Sequence, residues 1–482
     1  MLRAGKRTSK RLRAQVMRRW GTVAEVILLA ILLAAGCGRT DVGGFGGNIP
    51  PPAGSSTVSL VITDSPPAGV TVLSFEATIT GATLNPGSVS LLSSPVQVEL
   101  KHLETEMALL GTATVPSGTY NSTTLTLANA EVTFKNDTAG TLAGCSNVPP
   151  NNVCETKPNT SGTVTIAFSA AQTIQPNTTI GFLIDVNLSN ILTAALGVDF
   201  SAAGGFTAQP VTITGGLAQL DDVLGRVATV TPVNQQFTLE TSQGTLTVNA
   251  DSNTVFDDFL AGGCSSANIA CVLVNQIVEA DLLLRSDGTL LATRVKFEDR
   301  DVSESELDGT IAAVDTLNNR FTFVLLEAVP GVPGLEVGDV LTVTLTATTF
   351  EVDSDGLPVP AGLSFASAAD LLVGQRVQVR RDSVSSGSTV QADRVRLKKA
   401  QFTAKVDTKL NATDFTVNVL PALFTSAGIS AVEARTSTQT GFEPSGTSVA
   451  TLVAGDTVSL GGLLFRRVVG NPVLVAGKVR KR

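Results

Sequence analysis

The chain has 482 residues, with 34 Lys or Arg against 42 Asp or Glu, and its formal net charge is −8. Eight of the basic residues and one acidic residue lie in the first 36 positions, which leaves 26 basic against 41 acidic residues, a net charge of −15. That balance disfavours nucleic acid and anionic lipid headgroups as partners, because both require clustered positive charge. The length predicts about three or four domains.

The N-terminal segment is basic, then apolar, and then reaches a cysteine. Basic residues from Arg3 to Arg19 precede an apolar run over 26–35, which is too short to span a bilayer. The run ends in Leu-Ala-Ala-Gly-Cys, with Cys37 last, and translation could start at Met1 or at Met17. The alternative interpretation is an ordinary membrane-anchoring helix, in which the cysteine has no role in lipid attachment.

This segment resembles the lipobox of bacterial lipoproteins. The resemblance implies that residues 1–36 are a signal peptide and that Cys37 carries a diacylglycerol and usually an N-acyl chain. Membrane lipid would then be a partner through Cys37, and two or three acyl chains anchor a protein firmly. The expected location is the cell envelope, with the outer membrane favoured because Gly38 follows the cysteine. Residues 37–56 are rich in Gly, Pro and Ser and predict a flexible tether.

Four further cysteines form two local pairs, Cys145 with Cys154 and Cys264 with Cys271. An even number of closely spaced cysteines in an exported protein predicts disulfides. A zinc site would need four ligands together, and the two pairs lie far apart without histidines. We therefore expect no metal site and no cofactor at these residues.

The rest of the chain predicts an all-β fold. Apolar and polar residues alternate with period two, and Gly, Asn, Asp and Pro supply frequent turns. Only residues 188–196 and 367–372 favour short helices. From residue 221 the pattern repeats: Gly225 and Gly309 open two units, a Phe-Thr pair follows in each, and an Ala-x-Arg-Val strand closes each. The units predicted are 221–300, 305–400 and a divergent 401–482, arranged as separate beads.

These repeats resemble an uncharacterised bacterial lipoprotein-associated family that is expected to form small OB-like barrels. Residues 57–218 resemble a second domain of unknown function, which implies a β-sandwich of the prealbumin or immunoglobulin type. The resemblance rests on Leu60 to Pro67, on Leu183 to Leu188 and on a Pro-x-Gly-x-Tyr element that ends at Tyr120. In related sandwiches that tyrosine packs across a turn.

Few residues offer catalytic chemistry. His102 is the only histidine, and no partners for a catalytic triad can be placed around it. Residues 353–356, Asp-Ser-Asp-Gly, resemble the start of a calcium-binding loop. A turn is favoured because the residues that would complete the calcium ligands are missing. The acidic run over 298–308 predicts a solvated linker, with weak cation binding as the alternative.

Cationic side chains recur at equivalent places in the last strand of all three units. Alternation puts each pair on one face of its strand. The favoured interpretation is protection of an exposed strand edge, and the alternative is binding of a polyanion. We call these six residues the cationic ridge: Arg294, Lys296, Arg394, Arg396, Lys478 and Arg480.

The sequence as a whole predicts a lipid-anchored envelope protein that is not an enzyme. Its expected role is binding or scaffolding at the cell surface or in the periplasm, with an unknown envelope protein or polysaccharide as partner. A secreted glycan hydrolase that uses paired carboxylates is an alternative from another class. A polyanion-binding repeat protein is the third possibility.

Overall fold

The structure is a computed structural model. It describes residues 55–65, 71–136, 153–158, 160–193, 197–212, 219–242, 244–260, 262–300, 305–328, 334–381 and 388–482. The predicted signal peptide, Cys37 and nearly all of the predicted tether lie outside these residues. Within the described residues, the fold is all-β as predicted, and no helix is long and apolar enough to cross a membrane.

Residues 55–211 form two sheets that share one hydrophobic core. One sheet has the order β10-β9-β1-β5, and the other has β3-β2-β6-β7 with β4 on β2 and β8 on β6. Their strands are β1 (Ser55–Ser65), β2 (Thr71–Asn85), β3 (Val89–Ser90), β4 (Val96–Glu99), β5 (Ala108–Pro116), β6 (Gly118–Lys135), β7 (Val153–Thr156), β8 (Gly162–Ile174), β9 (Thr179–Asn187) and β10 (Phe206–Val211). We call this part the N-terminal unit.

Two local predictions for the N-terminal unit are confirmed. Helix α1 (Leu188–Ile191) lies within the predicted helical stretch and is capped by the Asn187 side chain. The hydroxyl of Tyr120 donates a hydrogen bond of 2.9 Å to the carbonyl of Pro116, across the turn between β5 and β6. The tyrosine is buried, so its ring also contributes to the core.

The first repeat unit closes on itself. Its sheet has the order β13-β12-β11-β15-β16-β14, and β13 also pairs with β16 in parallel. Its strands are β11 (Gln219–Thr231), β12 (Gln236–Thr241), β13 (Gly244–Asn249), β14 (Val255–Asp257), β15 (Ile277–Leu284) and β16 (Leu290–Asp299). Because the pairing closes, the alternating apolar residues of all these strands meet in one core.

The second and third units repeat this strand order. In each, the first, second and third strands are neighbours, and the last strand closes against the third in parallel. The strands are β17 (Ser305–Asp315), β18 (Arg320–Ala328), β19 (Val340–Val352), β20 (Arg376–Arg381), β21 (Thr389–Lys409), β22 (Asp414–Asn418), β23 (Val432–Arg435), β24 (Gly441–Glu443), β25 (Thr457–Phe465) and β26 (Val473–Lys481). Helix α2 (Ala422–Ser426) connects β22 to β23.

The second and third units are not separate beads. Strand β21 pairs with β20 over residues 394–398 and with β25 over residues 399–405, so one strand belongs to both units. Leu463 and Phe465 of the third unit lie in the core of the second. The expectation of separate beads is wrong here, because no linker separates the last strand of one unit from the first strand of the next.

The glycine that opens the repeat pattern is required by close backbone approach. A Cβ atom on Gly309 would lie 2.1 Å from the carbonyl oxygen of Val324, and one on Gly225 would lie 2.6 Å from that of Glu240. Both carbonyls belong to the neighbouring strand, which cannot move without breaking the ladder. The repeated glycine therefore marks the place where the first strand of the barrel presses against the second.

We expect Gly309→Ala to destabilise the chain by about 1–3 kcal/mol, because the added methyl overpacks against a fixed backbone carbonyl. Gly441→Ala is the matched control, since a Cβ there meets nothing closer than 3.7 Å. Urea denaturation of both variants checks the prediction. Equal urea midpoints for the two variants would show that β17 and β18 can move apart at this position with little loss of stability.

Candidate functional site

The structure places the predicted cysteine and histidine sites as follows. Cys264 and Cys271 form a disulfide, with their Cα atoms 5.8 Å apart, in the connection between β14 and β15. Cys154 is buried in β7, and Cys145 lies outside the described residues. His102 falls in a 3₁₀ turn over Lys101–Leu103, and its side chain is not among those described.

The cationic ridge does not lie on exposed strand edges. Strand β16 pairs with β15 on one side and with β14 and β13 on the other, and β21 and β26 are likewise paired on both sides. The edge-protection interpretation is therefore wrong. The reason is that each barrel closes, so its last strand has no free edge to protect.

The ridge residues instead join one module to the next. In the first unit, Arg294 forms an ion pair with Asp355 and Lys296 forms one with Asp353, both in the second unit. In the reverse direction, Arg394 lies 3.6 Å from Glu298 of the first unit. Each barrel thus presents cations to the carboxylates of the other.

Lys398 lies at the centre of this arrangement, which we call the junction network. Its Nζ contacts Glu279 of the first unit and lies 3.1 Å from Asp353 of the second. Lys398 is 1 % exposed and Glu279 is 3 % exposed, so their attraction acts with little screening by water. The network consists of Asp222, Glu279, Arg294, Lys296, Glu298, Glu306, Asp353, Asp355, Arg394, Arg396, Lys398 and Lys399.

The predicted solvated linker over 298–308 is also wrong for the residues described there. Glu298, Asp299, Glu306 and Asp308 are all buried, and Glu306 has no exposed surface. Asp308 accepts a hydrogen bond of 2.6 Å from the Nε of Arg376. The described acidic residues are buried because they lie at the end of β16 and the start of β17, where arginines from β20 and β21 pair with Glu298, Glu306 and Asp308.

The network shifts its carboxyl groups in opposite directions. Burial raises the pKa of Glu306 to about 8, although Arg394 opposes the shift. Burial also opposes ionisation of Asp353, but Lys398 and Lys296 outweigh it and lower the pKa of Asp353 to about 2. The cations of Lys296 and Arg396 likewise lower the pKa of Glu298 against the effect of burial. The direction depends on how many cations each carboxylate meets.

Two groups of carboxylates in the network come close enough to share a cation. Glu279, Glu298 and Asp353 form one group, and Asp222, Glu279 and Asp355 form the other. The ammonium groups of Lys296, Lys398 and Lys399 already contact these same carboxylates. A metal ion would have to displace these ammonium groups. The carboxylates are therefore neutralised by side chains of the protein, and the network is an ion-pair junction. Residues 353–356 form the predicted turn, closed by a hydrogen bond of 2.7 Å from the Leu357 amide to the Ser354 carbonyl.

The ridge of the third unit contacts the N-terminal unit. Arg480 forms an ion pair with Glu443 and donates hydrogen bonds to the hydroxyl of Thr63 at 3.0 Å and the carbonyl of Thr105 at 3.2 Å. Lys478 lies 3.2 Å from the same Glu443. All six ridge residues therefore have carboxylate partners, and this chain uses them internally.

A cavity of about 460 Å³ lies where the N-terminal unit, the second barrel and the third barrel meet. Its walls come from the start of β2, the Lys101–Leu103 turn, strands β17, β18, β20, β21 and β25, and helix α2 with the residues before it. The wall residues are mostly apolar, and they include Val72, Leu73, Leu326, Phe402, Leu420 and Phe424. A hydrogen bond of 2.9 Å from the Leu423 amide to Thr71 fixes α2 against β2.

Sequence reasoning missed both the network partners and the cavity. Lys398 continues the alternation of Arg394 and Arg396, and this signal could have extended the ridge by one residue. The apolar run from Val419 to Phe424 is the corresponding signal for the cavity wall. Neither pattern identifies the opposite wall, because that wall comes from residues hundreds of positions away.

Comparisons with known proteins agree with the presence of uncharacterised domains. A model described as domain of unknown function (DUF4382) matches residues 55–209, and one described as domain of unknown function (DUF5666) matches residues 225–296. No curated protein matches the chain. A solved structure described as drosophila Unr CSD456 is 11% identical, with 55% of this chain and 98% of that chain covered, and its TM-score of 0.12 carries no argument about the fold.

Proposed function

We propose that this chain is a lipid-anchored envelope protein that binds rather than catalyses, and that its modules act as one rigid body. The junction network carries the rigid-body part of the proposal, and the lipobox resemblance at Cys37 carries the anchor. Buried ion pairs between two barrels hold their relative orientation, because any rotation would leave charges unpaired away from water. A rigid arrangement of modules can present one fixed binding surface, whereas flexibly linked modules cannot.

The strand order supports the OB-like part of the proposal. In all three repeat units a ring of five strands runs through the first, second and third strands, then the last strand and the strand before it, and closes back on the first. This order fits the five-stranded Greek-key barrel of OB folds. The two sheets and shared core of residues 55–211 support a β-sandwich for the N-terminal unit. Binding is the use most consistent with these architectures.

The polyanion-binding alternative loses its main support. It required the cationic ridge to face a ligand, and the ridge residues contact carboxylates of the same chain. Nothing in the described residues specifically favours the glycan hydrolase. Turnover of a glycan by the purified protein would overturn the non-enzymatic proposal.

We expect Cys37→Ala to abolish membrane anchoring in a bacterial host. Labelling with a radioactive fatty acid should mark the wild-type protein and not the variant, because the thiol is the proposed attachment point. Cys264→Ala, whose thiol lies in a disulfide, is the control and should retain the label. A wild-type chain that keeps residues 1–36 and carries no label would contradict the anchor.

A further inference from the structure

The cavity between the three modules differs in charge from the rest of the protein. Its charged lining residues are Lys101, Arg376 and Lys405 against the single carboxylate of Glu104. The chain as a whole has more acidic than basic residues. An excess of positive charge beside apolar walls is the pattern expected for a ligand that is apolar with an anionic group.

Two of the three cations already have partners within the chain. Lys101 forms an ion pair with Glu104, and Arg376 lies 2.6 Å from Asp308. Lys405 is exposed and forms no ion pair with any residue that the structure describes. Lys405 is therefore the lining residue whose positive charge is not neutralised by an ion pair within the described part of the chain.

The wall beside Lys405 carries a strained and exposed apolar residue. Val419 has a φ of 51° and is 67% exposed, although a β-branched side chain disfavours this backbone conformation. Strain of this kind persists where the surroundings enforce it, and it concentrates at binding sites. Val419 leads directly into Leu420 and α2, so the strain sets the position of this wall.

We propose that the cavity binds a small molecule with an apolar body and one anionic group. The apolar body lies between β2, β21 and α2, and the anionic group lies near the ammonium of Lys405. The volume of about 460 Å³ is within the range of pockets that hold compact organic ligands. The inference deepens the proposed binding function, but it does not depend on the lipid anchor.

The test uses two fluorescent probes that differ only in the anionic group. These are 1-anilinonaphthalene-8-sulfonate and the uncharged N-phenyl-1-naphthylamine, titrated into the purified full chain, with a blank of the buffer and of any lipid that the preparation carries subtracted. We expect saturable binding of both probes and tighter binding of the sulfonate. Because partition into lipid is the same for every variant, differences between variants report the cavity alone.

Variants assign each part of the ligand. Ala422→Trp and Thr425→Trp, which place an indole in the wall, should each lower the affinity for both probes tenfold or more. Lys405→Met should lower the affinity for the sulfonate about fivefold and leave the affinity for the neutral probe unchanged. Lys409→Met is the control, since Lys409 is on the same strand outside the cavity and bonds the Ala450 carbonyl.

Each outcome decides one claim. Binding that survives both tryptophan variants would overturn the cavity as the site. Equal affinity for the two probes, or a Lys405→Met variant that weakens both alike, would overturn the anionic ligand class. Either failure would leave the Cys37 labelling result untouched, so a wrong ligand is distinguishable from a wrong anchor.

Discussion

Replacing Lys398 with methionine is expected to destabilise the protein by about 3–5 kcal/mol, because removal of one partner leaves buried carboxylates uncompensated. Lys398 is fully buried between Glu279 and Asp353, and no water can replace its ammonium group without opening the junction. Methionine has a similar length and is apolar, so it leaves little empty space. The decrease in unfolding free energy therefore reports the removal of the charge. The unfolding midpoint in urea gives the measurement.

Lys405→Met is the matched control for this substitution. Lys405 is on the same strand but exposed, so its loss should change stability by less than about 0.5 kcal/mol. A double variant, Lys398→Met with Glu279→Gln, should be less unstable than the sum of the two single variants, because each single change leaves the other partner unpaired. Strict additivity would mean that the two side chains do not interact.

The same substitution also tests the rigid body. If Lys398 holds the first barrel to the second, its loss should let the two barrels separate, and a protease should then cut the chain between them more readily. Cleavage between residues 299 and 305 in Lys398→Met, and not in Lys405→Met, would support the junction. Equal protection in both would count against it.

Local patterns predicted the strands, and the structure explains why. Alternation with period two in β16 and β21 is a property of a few adjacent residues, and so is the repeated glycine at Gly225 and Gly309. The Tyr120 hydrogen bond to Pro116 spans only four positions. Features of this kind need no knowledge of the rest of the chain.

The fate of the charged residues could not be predicted in the same way. Lysine and glutamate are rarely buried, so exposure is the correct default for Lys398 or Glu306 taken alone. Lys398 meets Glu279 across 119 positions, and this pairing exists only after both barrels have closed. The sequence pattern located the ridge, but the partners that turn it into a junction come from the tertiary structure.

The stability of the protein is expected to be highest near pH 4 and to fall as the pH rises toward 8. Burial raises the pKa of Glu306 from 4.5 to about 8, and burial also raises the pKa of Asp221 and of Glu76 to about 7. Between its unfolded and folded pKa values, each of these groups holds a proton in the folded state and not in the unfolded state. Each therefore lowers the unfolding free energy by up to about 1.4 kcal/mol per pH unit over that interval.

The opposite slope sets the acidic side of the optimum. Asp353, whose pKa falls from 3.8 to about 2, contributes stability that is present above pH 3.8 and is lost as the pH drops toward 2. The midpoint of thermal unfolding, measured from pH 3 to pH 9, should therefore pass through a maximum.

Glu306→Gln should make the decline above pH 5 less steep, because the amide does not titrate in this range. The amide also keeps a hydrogen-bond acceptor for Arg394. Glu351→Gln, at an exposed residue of the same region, should leave the decline unchanged. A wild-type profile that is level between pH 5 and pH 8 would show that Glu306 is ionised without cost, and the junction would then be more fully neutralised than its burial implies.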